Sequence, residues 1–222
     1  MPIYRLDLLI EVFTDISVIT LSDPQKRGKI KERILRVLLN NPEGTLTKYR
    51  VAKLTKSGFP WVHEYLKQLE HSHLVEGTRV LDYRGLIKTW ISIHHTVKTI
   101  DYMVQEPEKL VKETGLDYLL TTYRAEAITQ GYLFPSRTDI YIKPGEGENW
   151  GEALVGKGLR GKGNLRLLLD EEHVFYASRL VKGIKVVSLP QLVIDLVLEG
   201  GVCIEAAEML LEKAVKELVP VS

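Results

Sequence analysis

Apolar residues early in the chain recur at the spacing of an amphipathic helix. Ile30, Ile34, Val37 and Leu38 stand at i, i+4, i+7 and i+8, with charged residues between them. This periodicity predicts a helix over residues 28–40. The charged positions interleaved with the apolar ones are Lys29, Lys31, Glu32, Arg33 and Arg36.

Two more helices are predicted before residue 72. Thr47 offers a hydroxyl N-cap to a short helix that turns Val51 and Ala52 inward. Pro60 suits the first turn of a longer helix, because its missing N–H costs nothing there. The apolar stripe of this third helix is Val62, Tyr65, Leu66 and Leu69, and its outward positions are Trp61, His63, Glu64 and Lys67.

Two strands are predicted after the third helix. Residues 74–81 and 86–93 are rich in β-branched and aromatic side chains, and residues 82–85 have the composition of a turn. The two segments are therefore expected to form a hairpin.

The order helix, short helix, turn, helix, hairpin resembles the winged helix-turn-helix superfamily of transcription regulators. Residues 51–75 carry the similarity, at Val51, Ala52, Val62, Leu66, Leu69 and Leu74. Two positions depart from the superfamily pattern. His73 replaces a glycine that often closes the recognition helix, although His tolerates positive φ better than most residues. Glu64 replaces an arginine, and its carboxylate would either repel phosphate or accept from a cytosine amino group.

This resemblance implies that the third helix enters the major groove of duplex DNA. The residues nearest the bases would be Pro60, Trp61, His63, Glu64 and Lys67. The residues flanking the phosphates would be Lys48, Arg50, Lys53 and Lys56, with Arg79, Arg84 and Lys88 on the wing. About six phosphate contacts predict a slope of about −5 for log affinity against log salt. The alternatives, a core role for Trp61 and an idle surface role for His63, stay open.

Charge is unevenly distributed along the chain. The formal net charge is +1, but residues 26–88 hold 14 Lys and Arg against 6 Asp and Glu, a net of +8, which leaves −7 elsewhere. A basic segment joined to an acidic one indicates that the first meets a polyanion and the second has another task. The alternative is that these cations only solvate helices.

The second half of the chain alternates predicted strands and helices. A linker is expected near residues 95–106. The predicted strands are 118–123, 138–142, 165–169, 174–180 and 184–187, and the predicted helices are 109–114, 125–130, 150–155, 190–198 and 204–218. This alternation is typical of an α+β or α/β domain with a mixed sheet.

This half resembles the C-terminal region of AbiEi-type antitoxins, which have a degenerate nucleotidyltransferase-like fold. The resembling segments are 121–126, 137–142, 163–170, 187–196 and 205–211. The resemblance implies a domain that neutralises a partner toxin while the N-terminal domain binds DNA.

Catalysis is not expected from this chain. An active nucleotidyltransferase needs a Gly-Ser pair for the triphosphate and two carboxylates at i and i+2 that hold two divalent ions. Thr121 and Thr122 occupy the first place, and Asp139 is followed by Tyr141 at the second. A metal held by Asp139 and Asp170 alone would be weak.

The remaining motifs do not predict a cofactor or a metal. Residues 156–161 match the dinucleotide-binding glycine pattern as letters, but the predicted strand and helix around them come in reverse order. Lys157, Arg160 and Lys162 there could touch phosphate or form a solvated loop. The pair His94 and His95 has no second cluster at metal-ligand spacing, and Cys203 is the single cysteine.

The sequence thus predicts an α+β protein of two domains in 222 residues. Residues 1–25 would be an extension, 26–95 a winged helix-turn-helix domain, and 106–222 an α/β domain with a mixed sheet that resembles a nucleotidyltransferase-like fold. With one cysteine, no secretion signal and no membrane-spanning run, the expected compartment is the cytoplasm, away from membranes.

The predicted function is that of a homodimeric transcription regulator on double-stranded DNA. One alternative is an antitoxin of a type IV toxin-antitoxin pair, which binds a cognate toxin and also regulates its own expression. The other is a nucleotide-binding or nucleotidyltransferase enzyme.

Overall fold

The computed structural model describes the backbone of residues 24–218 and the side chains of residues 27–216. Most of the predicted N-terminal extension, including the apolar stretch 3–21, lies outside these described residues. Within them, no helix combines the length and apolarity that a bilayer crossing requires.

Three helices open the described chain: α1 (Pro24–Leu39), α2 (Lys48–Leu54) and α3 (Phe59–His71). The hydroxyl of Thr47 caps α2 by accepting from the Arg50 N–H at 3.1 Å, as predicted. The predicted stripe of α3, from Val62 to Leu69, is buried. His73 has a φ of +56°, so it ends α3 in the left-handed region, and the N–H of Leu74 donates to the carbonyl of Leu69.

The charged side of α1 is also buried, which its amphipathic pattern does not predict. Glu32 and Arg36 are 1% and 0% exposed. Arg36 is covered by the second half of the chain, where Gln191 accepts its hydrogen bond, and Glu32 is covered by residues 90–95, which supply three polar side chains to its carboxylate.

The single strand predicted at residues 74–81 is wrong, because this segment forms a very short hairpin by itself after α3. Its strands, β1 (Val75–Glu76) and β2 (Arg79–Val80), pair antiparallel. Glu43 adds an isolated bridge to Arg79, and the Val80 N–H donates to the Pro42 carbonyl at 2.8 Å. The hairpin is therefore braced by the segment between α1 and α2.

The strand predicted at residues 86–93 is wrong, because this segment lies in helix α4 (Tyr83–Ile93). The carboxylate of Asp82 caps α4 by accepting from the Gly85 N–H at 2.8 Å. Its buried residues, Tyr83, Leu86, Ile87 and Trp90, stand at i, i+3, i+4 and i+7. Helical periodicity therefore outweighs the β-propensity of its branched and aromatic residues.

The linker predicted at residues 95–106 is also wrong, since most of it forms strand β3 (Lys98–Val104). This strand pairs on one side with β7 (Leu165–Leu169) and on the other with β6 (Gly158–Arg160). Strand pairing across more than 50 residues of sequence gives no local signal, and the change of pattern before Pro107 suggests a connector instead.

A seven-stranded mixed sheet forms the second half. Its remaining elements are α5 (Pro107–Glu113), β4 (Tyr118–Thr121), α6 (Thr122–Thr129), β5 (Thr138–Ile142), α7 (Gly147–Leu154), β8 (Arg179–Val181), β9 (Ile184–Val186), α8 (Leu189–Glu199) and α9 (Val202–Leu218). The strand order is β6-β3-β7-β5-β4-β9-β8, in which the pairs β5–β7 and β4–β9 are parallel and the others antiparallel. The predicted α+β class with a mixed sheet is confirmed.

One further strand assignment needs correction. Residues 174–180 were expected to be a single strand, but they divide between a 3-10 turn at Glu172–Phe175 and β8. Ala177 lies between them with a φ of +53°, a conformation that ends an extended run.

The helical and sheet halves share one continuous buried core, which runs from α1 to α9. Helices α1 and α4 both contact α8, which begins after Ser188. This packing fixes the side of the helical half that faces the sheet and leaves the outer side of α3 toward solvent.

Candidate nucleic-acid interface

The outer side of α3 is open to solvent. Pro60, Trp61, Glu64 and Lys67 are all exposed, with Trp61 at 39%. Because Val62, Leu66 and Leu69 point into the core, the helix cannot rotate without unpacking its buried stripe. The exposed side chains are therefore held in one orientation by the rest of the helix.

Cations from α2 flank this face. Arg50 and Lys53 are exposed, and α2 packs directly against α3. Among the described residues, no ion pair involves Arg50, Lys53 or Lys67. These three side chains can therefore meet an external anion without first breaking an ion pair. We call Arg50, Lys53, Trp61, Glu64 and Lys67 the outer face.

Exposed aromatic rings lie among these cations. The guanidinium of Arg27 lies 5.2 Å from the Trp61 ring centroid, and the ammonium of Lys53 lies 5.4 Å from that of Tyr49. Phe59 is exposed and stacks on His63 with centroids 5.7 Å apart. Sequence reasoning missed Arg27, Tyr49 and Phe59, although their positions at helix starts beside outward-facing cations were a usable signal.

His63 is less available than predicted. It is half-buried beneath Phe59, and its Nδ1 is buried with no hydrogen-bond partner among the described residues. The His63 ring therefore supports the exposed Phe59 side chain rather than presenting a polar edge to solvent.

Three predicted phosphate ligands that precede α4 already have acidic partners. Lys48 pairs with Glu70 at 3.1 Å, Lys56 with Glu172 at 2.8 Å, and Arg79 with Glu76 at 3.4 Å. The hydrogen bond from Lys48, and a second from the Gly77 N–H, lower the pKa of Glu70. All of these pairs are at least partly exposed, so they hold their cations loosely.

Arg84 and Lys88 do not lie on a wing, because their segment is helix α4. Arg84 pairs with Glu208 of α9 at 2.7 Å. Lys88 is exposed one helical turn further on. Their assignment as wing residues is therefore corrected, and only Arg79 belongs to the hairpin itself.

A buried polar junction joins α1 to the sheet half. The Nε of Arg36 donates to Gln191 Oε1, and its Nη1 donates to His173 Nδ1, both at 2.9 Å. Burial, and next the charge of Arg36, lower the pKa of His173 to about 3, so its ring is neutral and can accept. Arg33 adds two hydrogen bonds to Glu171.

A second part of this junction centres on Glu32. Its carboxylate accepts from Trp90 Nε1 and from the His95 N–H, both at 3.0 Å. It also lies 2.9 Å from His94 Nδ1 and 2.6 Å from His95 Nδ1. Burial opposes ionisation, but the hydrogen bonds from His94 and His95 outweigh it and lower the pKa of Glu32 well below its ordinary value. The two histidines are adjacent in the sequence, but no local pattern indicates that their partner is Glu32, more than 60 positions away.

The carboxylate of Asp139 lies in a cluster with two arginines, Arg137 and Arg166. Asp139 accepts from Arg137 and from the Thr122 hydroxyl, and Arg166 stands opposite it across the β5–β7 register. Arg137 also donates to Glu199 at 2.9 Å. Asp139 is thus held by groups of its own chain.

Asp195 lies beside this cluster, deep in α8. It accepts from Gln191 Nε2 at 2.8 Å and from the hydroxyls of Tyr141 and Thr121. Burial raises its pKa to about 6 despite these hydrogen bonds. The glycine-rich segment 156–161 lies elsewhere, leading into edge strand β6, and its Lys157 and Arg160 are exposed.

Comparisons of the chain with protein-family models, with curated proteins and with solved structures found no match. The class that the geometry defines is an α+β protein whose helical half presents an exposed, partly aromatic, basic helix pair beside a mixed sheet.

Proposed function

We propose that the protein is a DNA-binding transcription regulator in which α3 enters the major groove. The observation that carries the proposal is the outer face. It combines exposed cations that form no ion pair among the described residues, an exposed tryptophan and a rigid helical base. Cations position a protein on phosphates, and side chains of an inserted helix reach base edges.

The order of elements in the helical half supports the same proposal. A helix, a bridging residue, two more helices and a two-stranded hairpin follow one another, and Glu43 pairs with the second strand. This is the order of the winged helix-turn-helix class, with a wing reduced to the turn at Gly77 and Thr78. A wing this short leaves α2 and α3 to make most of the phosphate contacts.

The proposal is tested by changing the outer face and measuring the salt dependence of DNA binding. The probe is a duplex from the region upstream of the protein's own coding sequence, titrated by fluorescence anisotropy at several salt concentrations. The variant combines Arg50→Ala, Lys53→Ala and Lys67→Ala. Each lost phosphate contact removes about one from the slope of log affinity against log salt, so the slope should become shallower by about three.

A matched control removes the same charge elsewhere. Lys157→Ala, Arg160→Ala and Lys162→Ala take three exposed cations from the sheet half. This control should leave the slope unchanged, because its three residues lie outside the proposed DNA contact although they carry the same total charge. Equal losses in the two triple variants, or no salt-sensitive binding by the wild-type chain, would contradict the proposal.

A further inference from the structure

The junction between the two halves contains a cluster of side chains with the chemistry of metal ligands. Glu32 comes from α1, and His94 and His95 come from the end of α4. One carboxylate oxygen and one ring nitrogen from each histidine all lie within 4.8 Å of one another. Among the described residues this is the single group of three or more potential ligands that meets that criterion.

The backbone turns at the end of α4 so that both histidines face the same carboxylate. Consecutive residues of an extended chain point to opposite sides. Here His94 caps the helix with φ −61° and ψ 132°, and the two rings lie 5.2 Å apart, tilted by 35°. As a result His94 Nδ1 approaches one oxygen of Glu32 and His95 Nδ1 approaches the other.

Neighbouring groups hold two of the three side chains in place by hydrogen bonds, as is common around metal ligands. Asp170 holds His95 through its other ring nitrogen, with Nε2 and Oδ1 2.8 Å apart. Metal-binding histidines commonly donate their second N–H to a carboxylate in this way. Glu32 is itself fixed by the N–H groups of Trp90 and His95.

The surrounding carboxylates and the access route also suit a cation. His95 lies between two buried carboxylates, and the cations near Asp170 are Lys29, whose ammonium lies 3.6 Å from it, and the buried Arg36, whose charge also acts on Glu32. A cavity of about 360 Å³ opens beside both histidines and gives an ion and its water ligands a route to the cluster.

We propose that Glu32, His94 and His95 bind one divalent first-row transition-metal ion, with Zn²⁺ as the best-fitting example. Two imidazoles and one carboxylate suit Zn²⁺ or Co²⁺, whereas Mg²⁺ and Ca²⁺ prefer oxygen ligands. The fourth position faces the cavity and is left to water. The ion would tie α1 to the segment that enters β3, and Asp170 acts as a positioning residue for His95.

The test is a titration of the full chain, stripped of metal with a chelator, with Zn²⁺ alone. Calorimetry should show one ion per chain, and Mg²⁺ at the same concentration should neither bind nor compete. Glu32→Gln and the pair His94→Ala with His95→Ala should abolish binding. Asp170→Asn should weaken binding about 10- to 100-fold, as losses of outer partners do.

Two controls keep the result interpretable. His71→Ala removes an exposed histidine of α3 and should not change the stoichiometry. A Co²⁺ titration of the wild-type chain reports the donor atoms directly, so it does not depend on whether a variant folds. Nitrogen and oxygen ligands are expected, without a thiolate-to-metal band.

Three results would overturn the proposal. The first is a folded wild-type chain that binds no Zn²⁺. The second is unchanged binding in the double histidine variant, and the third is a thiolate band, which would assign the ion to Cys203. None of these results depends on DNA binding, so the metal site and the proposed function fail or survive separately.

Discussion

The outer face and the buried side of α1 both carry cationic side chains, but these lie in opposite environments. On the outer face, Lys67 is exposed and has no ion pair among the described residues. On α1, Arg36 is fully buried and bonded to Gln191 and His173. The first kind of cation remains available to a partner, and the second is already part of the folded structure.

This difference shows why the charge of a sequence segment overstates a binding surface. The segment 26–88 contains fourteen cations. Among the described residues, five of them pair with acidic residues of the second half, in the bridges from Lys29, Arg33, Arg36, Lys56 and Arg84. Part of the positive charge of this segment is therefore used in ion pairs that join the two halves. Only the other cations can contribute to a binding surface.

The largest effect on stability is expected from removing the buried cation of α1. Arg36→Ala leaves Gln191, His173 and Glu171 without their shared partner and removes the cation above the Trp90 ring. Breaking a buried charged network in this way should lower the free energy of unfolding by about 3–5 kcal/mol. Urea unfolding followed by circular dichroism measures the change.

Arg50→Ala is the matched control, because it removes the same side chain from the outer face. Its free energy of unfolding should stay within about 0.5 kcal/mol of the wild type. Comparable losses in the two variants would mean that the two surfaces do not differ as described.

A second prediction concerns Asp195, which extends the Arg36 and Gln191 contacts into the sheet half. Burial raises its pKa from 3.8 to about 6. Between these values the folded chain keeps a proton that the unfolded chain has released, so the free energy of unfolding falls as pH rises. The loss should reach about 3 kcal/mol at pH 7.

Asp195→Asn removes this titration while keeping groups that can hydrogen bond. Relative to the variant, the wild-type chain should therefore lose about 3 kcal/mol of stability between pH 4 and 7. Asp117→Asn is the control. Lys143 and Lys185 lower the pKa of Asp117, so that difference should be flat above about pH 5. A flat difference for Asp195→Asn would refute the assignment of a raised pKa.

Local patterns predicted the helices that carry the outer face. The Thr47 cap, the stripe from Val62 to Leu69 and the positive φ of His73 all follow from signals within a few residues. The helix α4 was missed because its branched and aromatic residues resemble a strand, although Asp82 and the spacing of Tyr83, Leu86 and Ile87 indicate a helix.

The buried junction could not have been predicted in the same way. Glu32 meets His95 across 63 positions, and Arg36 meets Gln191 across 155. Neither distance produces a periodic pattern, and an amphipathic helix suggests that its charged side faces water. Distant parts of the chain decide otherwise, because residues 90–95 cover Glu32 and the second half of the chain covers Arg36, and both supply matching polar groups.

A third prediction compares two lysines that differ in their partners. Lys67→Ala should make the salt slope of DNA binding shallower by about one, because its ammonium has no acidic partner to exchange. Lys56→Ala should change the slope less, since Glu172 lies 2.8 Å from the ammonium and already neutralises part of its charge. Anisotropy titrations at several salt concentrations measure both. If Lys56→Ala changed the slope more than Lys67→Ala did, the expectation that the unpaired lysine makes the stronger phosphate contact would be wrong.

The smallest effect is expected at Arg84, where the two kinds of surface meet. Its pair with Glu208 is half-exposed, and such pairs contribute about 0.2–1 kcal/mol. Arg84→Ala, Glu208→Ala and the double variant form a cycle whose coupling, measured by urea unfolding, should lie in that range. The salt slope of DNA binding should not change in Arg84→Ala, because α4 rather than a wing carries this residue. A slope shallower by about one would instead place Arg84 on the DNA side, and the boundary between the outward and inward cations would have to be redrawn through α4.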